Sequence, residues 1–258
     1  MFGYAITVTL LAGLSTALGG LVVLALRGKA QNLMGVSLGF AAGVMLTVSL
    51  SDMLPEAVAE YKEVYDKTGS ALRAVSLFAV GALIALLLER CLPSEKELLL
   101  KKKSADKAGA LAARSALVTM AVVTAHNLPE GVITLFTSYA APQMGVTLAL
   151  AIAMHNVPEG IAIAVPVYCA TGSRIKAMGA ALLSGLAEPL GALLAFWLLR
   201  GFLTQAFLTG LLSLIAGVMC CVSVTELLPD GFAQGDKGRA ALGGMMGCLI
   251  MSLGIYLI

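Results

Sequence analysis

The chain alternates long apolar runs with short breaks that carry charged residues, glycine or proline. Each run has about 20 residues, enough for a helix to cross a hydrocarbon core of roughly 30 Å. The pattern predicts eight membrane-spanning helices, near residues 4–26, 34–54, 70–88, 115–138, 145–170, 177–199, 207–228 and 240–258. No basic segment precedes the first run, so we interpret it as a span rather than a signal peptide. We therefore expect one all-α polytopic membrane domain over residues 1–258.

Composition points to the same class of protein. Hydrophobic side chains make up 59% of the residues and charged ones 12%, whereas a soluble domain carries about 25% charged residues. This balance excludes an ordinary soluble enzyme, and the net charge of +2 gives no indication of a nucleic-acid partner. The five cysteines include no CxxC pair, so the sequence indicates neither a disulfide framework nor a thiolate metal site.

Lysine and arginine are divided unevenly between the two sets of loops. Thirteen lie in or beside the loops that follow spans 1, 3, 5 and 7, and four lie on the opposite side. Cytoplasmic loops carry an excess of these residues, so both termini are expected to be extracytoplasmic. The same rule makes residues 89–114 the one long cytoplasmic loop.

The chain also repeats itself. Ala42–Glu56 matches Ala216–Asp230 with eight identities in fifteen positions, and Gly13–Leu21 aligns with Gly185–Leu193. Spans 1–3 therefore resemble spans 6–8, and because the two copies begin on opposite sides of the membrane, the repeat is inverted. Inverted repeats around a central helix pair are typical of transporters, which bind substrate near the bilayer midplane.

The only two histidines lie in two copies of the motif His-Asn-x-Pro-Glu-Gly, on the central spans 4 and 5. Positions i and i+4 share a helix face, so each histidine is expected beside the glutamate of its own motif. The asparagine lies at i+3 from the same glutamate, which suits a carboxylate that bridges two cation sites. The proline frees a backbone carbonyl and kinks the helix. The candidate ligands are His126, Asn127, Glu130, His155, Asn156 and Glu159.

A third carboxylate, Glu188, lies at the midpoint of span 6. Each carboxylate at this depth costs roughly 2.5 to 3.5 kcal/mol on insertion scales, and no lysine or arginine lies as deep to balance it. The acids are therefore either protonated or balanced by a bound cation. Imidazole, carboxylate and amide donors suit Zn²⁺, Fe²⁺, Mn²⁺ or Co²⁺ better than Cu⁺, Na⁺, K⁺ or Mg²⁺. Met45 is a candidate soft ligand, although an intramembrane methionine is more often core packing.

Two further acids suggest a route through the membrane. Asp52 lies near the outer end of span 2, and its repeat counterpart Glu226 lies near the inner end of span 7. An acid at each mouth with a metal site between them predicts a path for cations, although residues at span ends can also simply reach the lipid headgroups.

At these residues the sequence resembles the Zrt/Irt-like protein (ZIP) family of divalent metal transporters, most closely its bacterial ZupT-type branch. The motifs that carry the resemblance are His126–Gly131, His155–Gly172 and Ser184–Ala192. The resemblance implies a binuclear metal centre on helices 4 and 5, with contributions from helices 6 and 2. The residues so implied are His126, Asn127, Glu130, His155, Asn156, Glu159, Glu188 and Met45.

The resemblance also implies uptake of Zn²⁺, and of Fe²⁺, Mn²⁺, Co²⁺ and Cd²⁺, into the cytoplasm across a bacterial plasma membrane. The metal is then a transported substrate rather than a cofactor, and the protein is not an enzyme. Many eukaryotic members carry a histidine-rich loop between helices 3 and 4, which is missing here. Metal sensing by that loop is therefore not expected.

Two other functions compete with metal uptake. A membrane-embedded metallohydrolase would use the same metal, but neither HExxH nor HxxEH occurs in the sequence. A proton-coupled transporter of an organic substrate would use the acids as proton relays. The glycine-rich segments 39–43 and 244–247 are interpreted as helix-packing surfaces, although their spacing is also compatible with a homodimer.

Overall fold

The computed structural model describes residues 1–25, 30–93, 97, 107–199, 204–234 and 236–257. Every regular element in these ranges is helical, and eight helices are long and apolar enough to cross a membrane. The predicted all-α class and number of spans are thus confirmed. The spans are α1 (Phe2–Ala25), α2 (Leu33–Tyr61), α3 (Lys67–Cys91), α4 (Gly109–Ala140), α5 (Pro142–Thr171), α6 (Arg174–Leu198), α7 (Gln205–Ala233) and α8 (Lys237–Leu257).

The predicted cytoplasmic loop at residues 89–114 is shorter than expected, because helix extends into it from both sides. The helix of α3 continues to Cys91, and the helix that contains α4 begins at Lys107. Arg114 therefore lies within a span rather than in a loop. Much of the basic sequence behind the topology prediction lies outside the described residues, namely Arg27, Lys29, Lys96 and Lys101–Lys103.

Side-chain caps fix where several helices begin. Asp66, Ser173 and Thr204 each accept a hydrogen bond from a backbone N–H three residues later, at the starts of α3, α6 and α7. Such caps satisfy one of the N–H groups that a helix start leaves unpaired. At the other end of α5, Gly172 has φ 66°, a left-handed conformation that ends the helix at little cost for glycine.

Three spans are irregular near their middle. A π-helical turn interrupts α2 at Ser49–Met53, and another interrupts α7 at Ser223–Leu227. These segments occupy corresponding positions of the repeat, so the two copies share local geometry as well as sequence. Span α6 is divided at Leu186 into Arg174–Gly185 and Ala187–Leu199. Widened or broken turns of this kind often accompany functional sites.

The spans pack as one group of four helices and two pairs. Helices α1, α4, α5 and α6 contact one another, α2 pairs with α8, and α3 pairs with α7. Contacts of α2 with α5 and of α7 with α4 join the groups. A Cβ at Gly43 would collide with the Gly244 carbonyl, and one at its repeat counterpart Gly217 with the Phe78 carbonyl. The glycine-rich segments thus serve packing within the chain, as predicted.

Candidate metal centre

The central helices are held by matching glycine contacts on both sides. A Cβ at Gly131 of α4 would collide with the Glu188 carbonyl of α6, and one at Gly160 of α5 with the Thr16 carbonyl of α1. Gly131 corresponds to Gly160 in the duplicated motif, and Glu188 corresponds to Thr16 in the repeat. Span α4 therefore packs on α6 as α5 packs on α1, with backbones too close for any side chain between them.

These contacts bury both motifs. Helix continues through Pro129 in α4 and Pro158 in α5. The motif histidines and glutamates and Glu188 are each at most 3% exposed, and both asparagines are fully buried. Charged groups are rarely buried to this degree unless they are paired or bind metal.

Histidine and glutamate pair between the two helices. The His126 Nε2 atom lies 3.0 Å from Glu159 Oε1, and His155 Nε2 lies 3.5 Å from Glu130 Oε1. We expected each histidine beside the glutamate of its own motif, and the spacing did not predict this pairing with the glutamate of the facing helix. The i, i+4 spacing does place both groups on one helix face, but the opposing helix presents a nearer partner to each of them.

The two asparagines are anchored by equivalent backbone carbonyls. Asn127 Nδ2 donates to the Ser184 carbonyl over 3.1 Å, and Asn156 Nδ2 donates to the Ala12 carbonyl over 3.1 Å. Ser184 and Ala12 occupy corresponding positions in the repeat, and Ser184 lies just before the break in α6. Each bond fixes the amide nitrogen, and the side-chain oxygen Oδ1 has no hydrogen-bond partner among the residues that the structure describes.

Glu188 belongs to the same group of donors. It lies at the start of the second half of α6, and its Oε1 atom accepts a hydrogen bond from Asn156 Nδ2. This bond joins α6 to the motif on α5. The sequence predicted Glu188 as a midplane carboxylate, and the structure brings it into contact with the predicted donors.

The buried donors are short of partners. Within the described ranges, the atoms that make no hydrogen bond include both Glu130 oxygens, one oxygen each of Glu159 and Glu188, and both His155 ring nitrogens. Leaving a buried polar atom unpaired costs about 1 to 3 kcal/mol, more when the group is charged. In the described part of the chain, no three His, Cys, Asp or Glu side chains already surround a metal position. A bound cation would have to draw the donors in from their present pairs.

A pocket gives access to these donors from one side. It is lined by Asp52 and Glu56 of α2 together with Glu130 and His155, and its cavity volume of about 20 Å³ has room for about one water molecule. Asp52 thus lies beside the central donors rather than apart from them. Met45 is fully buried in the main apolar cluster and is not among the residues that line this pocket.

The repeat counterparts of these acids are covered instead. Arg114 of α4 contacts both Glu226 oxygens, at 2.5 and 2.6 Å, and lies 3.9 Å from Asp230. Ser115 donates a hydrogen bond to Asp230 as well. Arg114 is not among the predicted site residues, because it falls at the end of the predicted loop 89–114. Arg114 precedes His126 by twelve residues, or about three helical turns. A helix extended by that length from the first motif would have included Arg114 in α4.

Eight apolar spans around a buried set of imidazole, carboxylate and amide donors are typical of a polytopic membrane transporter. A sequence model of the family described as ZIP Zinc transporter matches residues 92–255. The chain therefore belongs to the ZIP family.

Relatives match along nearly the whole chain. The zinc transporter ZupT of Stenotrophomonas maltophilia strain K279a is 41% identical over 256 residues, which cover 98% of this chain and 95% of the relative. The zinc transporter ZupT of Corynebacterium glutamicum is 38% identical over 262 residues, with 98% of each chain covered. The zinc transporter ZupT of Streptococcus mutans is 36% identical over 256 residues, covering 98% of this chain and 97% of the relative.

Proposed function

We propose that this protein takes up divalent transition metal ions, zinc foremost, into the cytoplasm through two adjacent cation sites on α4 and α5. The observation that carries the proposal is the set of fully buried carboxylate, imidazole and amide atoms without partners where the duplicated motifs meet. Membership of the ZIP family and similarity to proteins named zinc transporters support the same substrate.

The donor chemistry favours particular ions. Imidazole nitrogen and carboxylate oxygen are zinc ligands at about 2.0 to 2.2 Å, and they also suit iron, manganese, cobalt and cadmium ions. Each cross-helix pair offers one imidazole and one carboxylate, so two ions are accommodated with a glutamate between them. The amide oxygens and Glu188 complete the donor set. Met45 is proposed only as an additional soft ligand, and its place in the apolar core favours packing.

The distribution of basic residues predicts which side of the membrane each end of the route faces. The excess of basic residues after spans 1, 3, 5 and 7 favours extracytoplasmic termini, which places Asp52 on the outer side and Glu226 on the inner side. A metal ion would reach the centre past Asp52 and leave past Glu226. Because the glycine faces of α2 and α8 are used within the chain, a homodimer would need another surface.

Uptake of radioactive zinc into proteoliposomes tests the proposal. Glu130→Ala and Glu159→Ala should each abolish uptake, while the protein still elutes as a folded species from size-exclusion chromatography. Asp236→Asn is the control, since that carboxylate is exposed and pairs only with the exposed Arg239 among the residues described. It should transport normally.

Competition and substrate range complete the test. Unlabelled Cd²⁺, Co²⁺, Mn²⁺ and Fe²⁺ should compete with zinc, whereas Mg²⁺ should not. Undiminished zinc uptake in both glutamate variants would contradict the proposed centre. Failure of the wild-type protein to transport any of these ions would instead favour an organic substrate or hydrolysis.

A further inference from the structure

The two mouths of the proposed route differ, although the repeat makes their acids equivalent. Asp52 and Glu56 line the pocket beside the central donors, and Glu56 is exposed. Their counterparts Glu226 and Asp230 are only 5% and 8% exposed. The difference arises because side chains of α4 cover the second pair of acids.

The cover is an ion pair with good geometry. The Arg114 guanidinium makes two parallel hydrogen bonds to Glu226, at 2.5 and 2.6 Å, and its side chain is 23% exposed. A bidentate charge-assisted pair of this kind is stronger than an exposed surface salt bridge. The neighbouring Ser115–Asp230 hydrogen bond ties the next residue of α4 to the same end of α7.

Among the described residues, those that line the outer pocket include no lysine or arginine. The duplicated motifs align α4 with α5 at an offset of 29 residues, so Arg114 corresponds to Gln143 and Ser115 to Met144. Neither of these side chains carries a positive charge. The asymmetry therefore lies in the sequence itself, at one basic residue on one of the two central helices.

We infer that Arg114 is a latch, meaning that its ion pair with Glu226 closes the inner mouth and must break before metal can leave. The inference rests on the proposed function for its physiological meaning. A divalent ion arriving at Glu226 and Asp230 offers these carboxylates an alternative to the guanidinium. Metal and latch then compete for the same oxygens.

Labelling of a buried cysteine tests the latch without any metal. Val118 is fully buried in α4, one turn deeper than Arg114 and on the same helix face as Ser115. In a background without native cysteines, Val118→Cys should react slowly with an impermeant thiol reagent applied from the Glu226 side. Adding Arg114→Gln should raise the rate about tenfold or more, as expected when hydrogen bonds between charged groups are lost.

Two comparisons decide the specificity of the effect. Arg239→Gln removes an exposed arginine that pairs with Asp236, and it should leave the labelling of Val118→Cys unchanged. Exchanging the partners, with Arg114→Glu and Glu226→Arg together, should restore slow labelling. Equal rates with and without Arg114→Gln in folded protein would overturn the inference.

Where Arg114→Gln does not fold, Arg114→Lys replaces it, because lysine keeps the charge but cannot bind both oxygens. That variant should label faster than the parent, and an unchanged rate would overturn the latch. The assay requires no transport, so its failure would leave the zinc proposal standing. Conversely, if the transport assay showed no zinc uptake by the wild-type protein, the labelling result would still stand.

Discussion

Replacing Gly131 by alanine is expected to separate α4 from α6 and to disable the metal centre without touching a ligand. A Cβ at this position would lie 2.5 Å from the carbonyl carbon of Glu188, whereas ordinary contacts begin near 3.4 Å. The carbonyl oxygen would lie closer still, so the two backbones would have to move apart by at least about 0.9 Å, the difference between those two distances. Backbone atoms cannot turn aside as the tip of a flexible side chain can.

The expected magnitudes follow from that displacement. Overpacking of this kind costs about 1 to 3 kcal/mol. Metal–ligand distances tolerate only about 0.2 Å, and Glu188 would move away from the donors on α4. Zinc affinity should therefore fall on the order of 10- to 100-fold, the range seen when a group that orients metal ligands is lost.

Gly179→Ala is the matched control. Gly179 also lies inside a helix, in α6, but a Cβ there meets nothing within 4 Å. Both changes gain about 0.8 to 1 kcal/mol of helix propensity, so the difference between the variants isolates the collision. Thermal unfolding in detergent and zinc uptake in proteoliposomes are the measurements. If Gly131→Ala matched Gly179→Ala in both, the close packing would have no part in building the site.

Three further predictions concern the donors and the route. Zinc affinity should fall as the pH drops from 8 to 5, because protons compete with the metal for the imidazole and carboxylate ligands; titration calorimetry that gave a flat profile over that range would contradict histidine and carboxylate ligation. Asn127→Ala should lower zinc affinity roughly tenfold or more, since its oxygen is unpartnered and its nitrogen is held by Ser184, and equilibrium dialysis measures this. In a cysteine-free background, Asp52→Cys should react with an impermeant thiol reagent only from outside and Glu226→Cys only from inside; reaction of both from one side would refute the proposed topology.

Most of the architecture could be predicted from the sequence, because membrane-spanning helices produce long apolar runs. Eight apolar runs predicted eight spans, and the match of Ala42–Glu56 with Ala216–Asp230 anticipated that α2 and α7 share local geometry. Both contain a π-helical turn at the same register. Span boundaries were less accurate, since α3 and α4 extend into the predicted loop, and hydropathy does not record where a helix continues beyond the apolar core.

The donors of the site were predictable, but their partners were not. Helical spacing indicates which residues share a face, and it led to the expectation that His126 would lie beside Glu130. The actual partner, Glu159, comes from the facing helix, and that choice depends on how closely α4 and α5 approach. Arg114 was missed for a related reason, because its role depends on contact with α7 rather than on its neighbours in sequence.

The direct test of the central claim is the number of zinc ions bound per chain at equilibrium, measured on purified protein by metal analysis after dialysis. Because there are two histidine–glutamate pairs, we expect about two zinc ions per wild-type chain. Combining Glu130→Gln with Glu159→Gln should abolish the binding of both ions. Unchanged binding in that double variant would show that the ions lie elsewhere and would contradict the assignment of the site to α4 and α5.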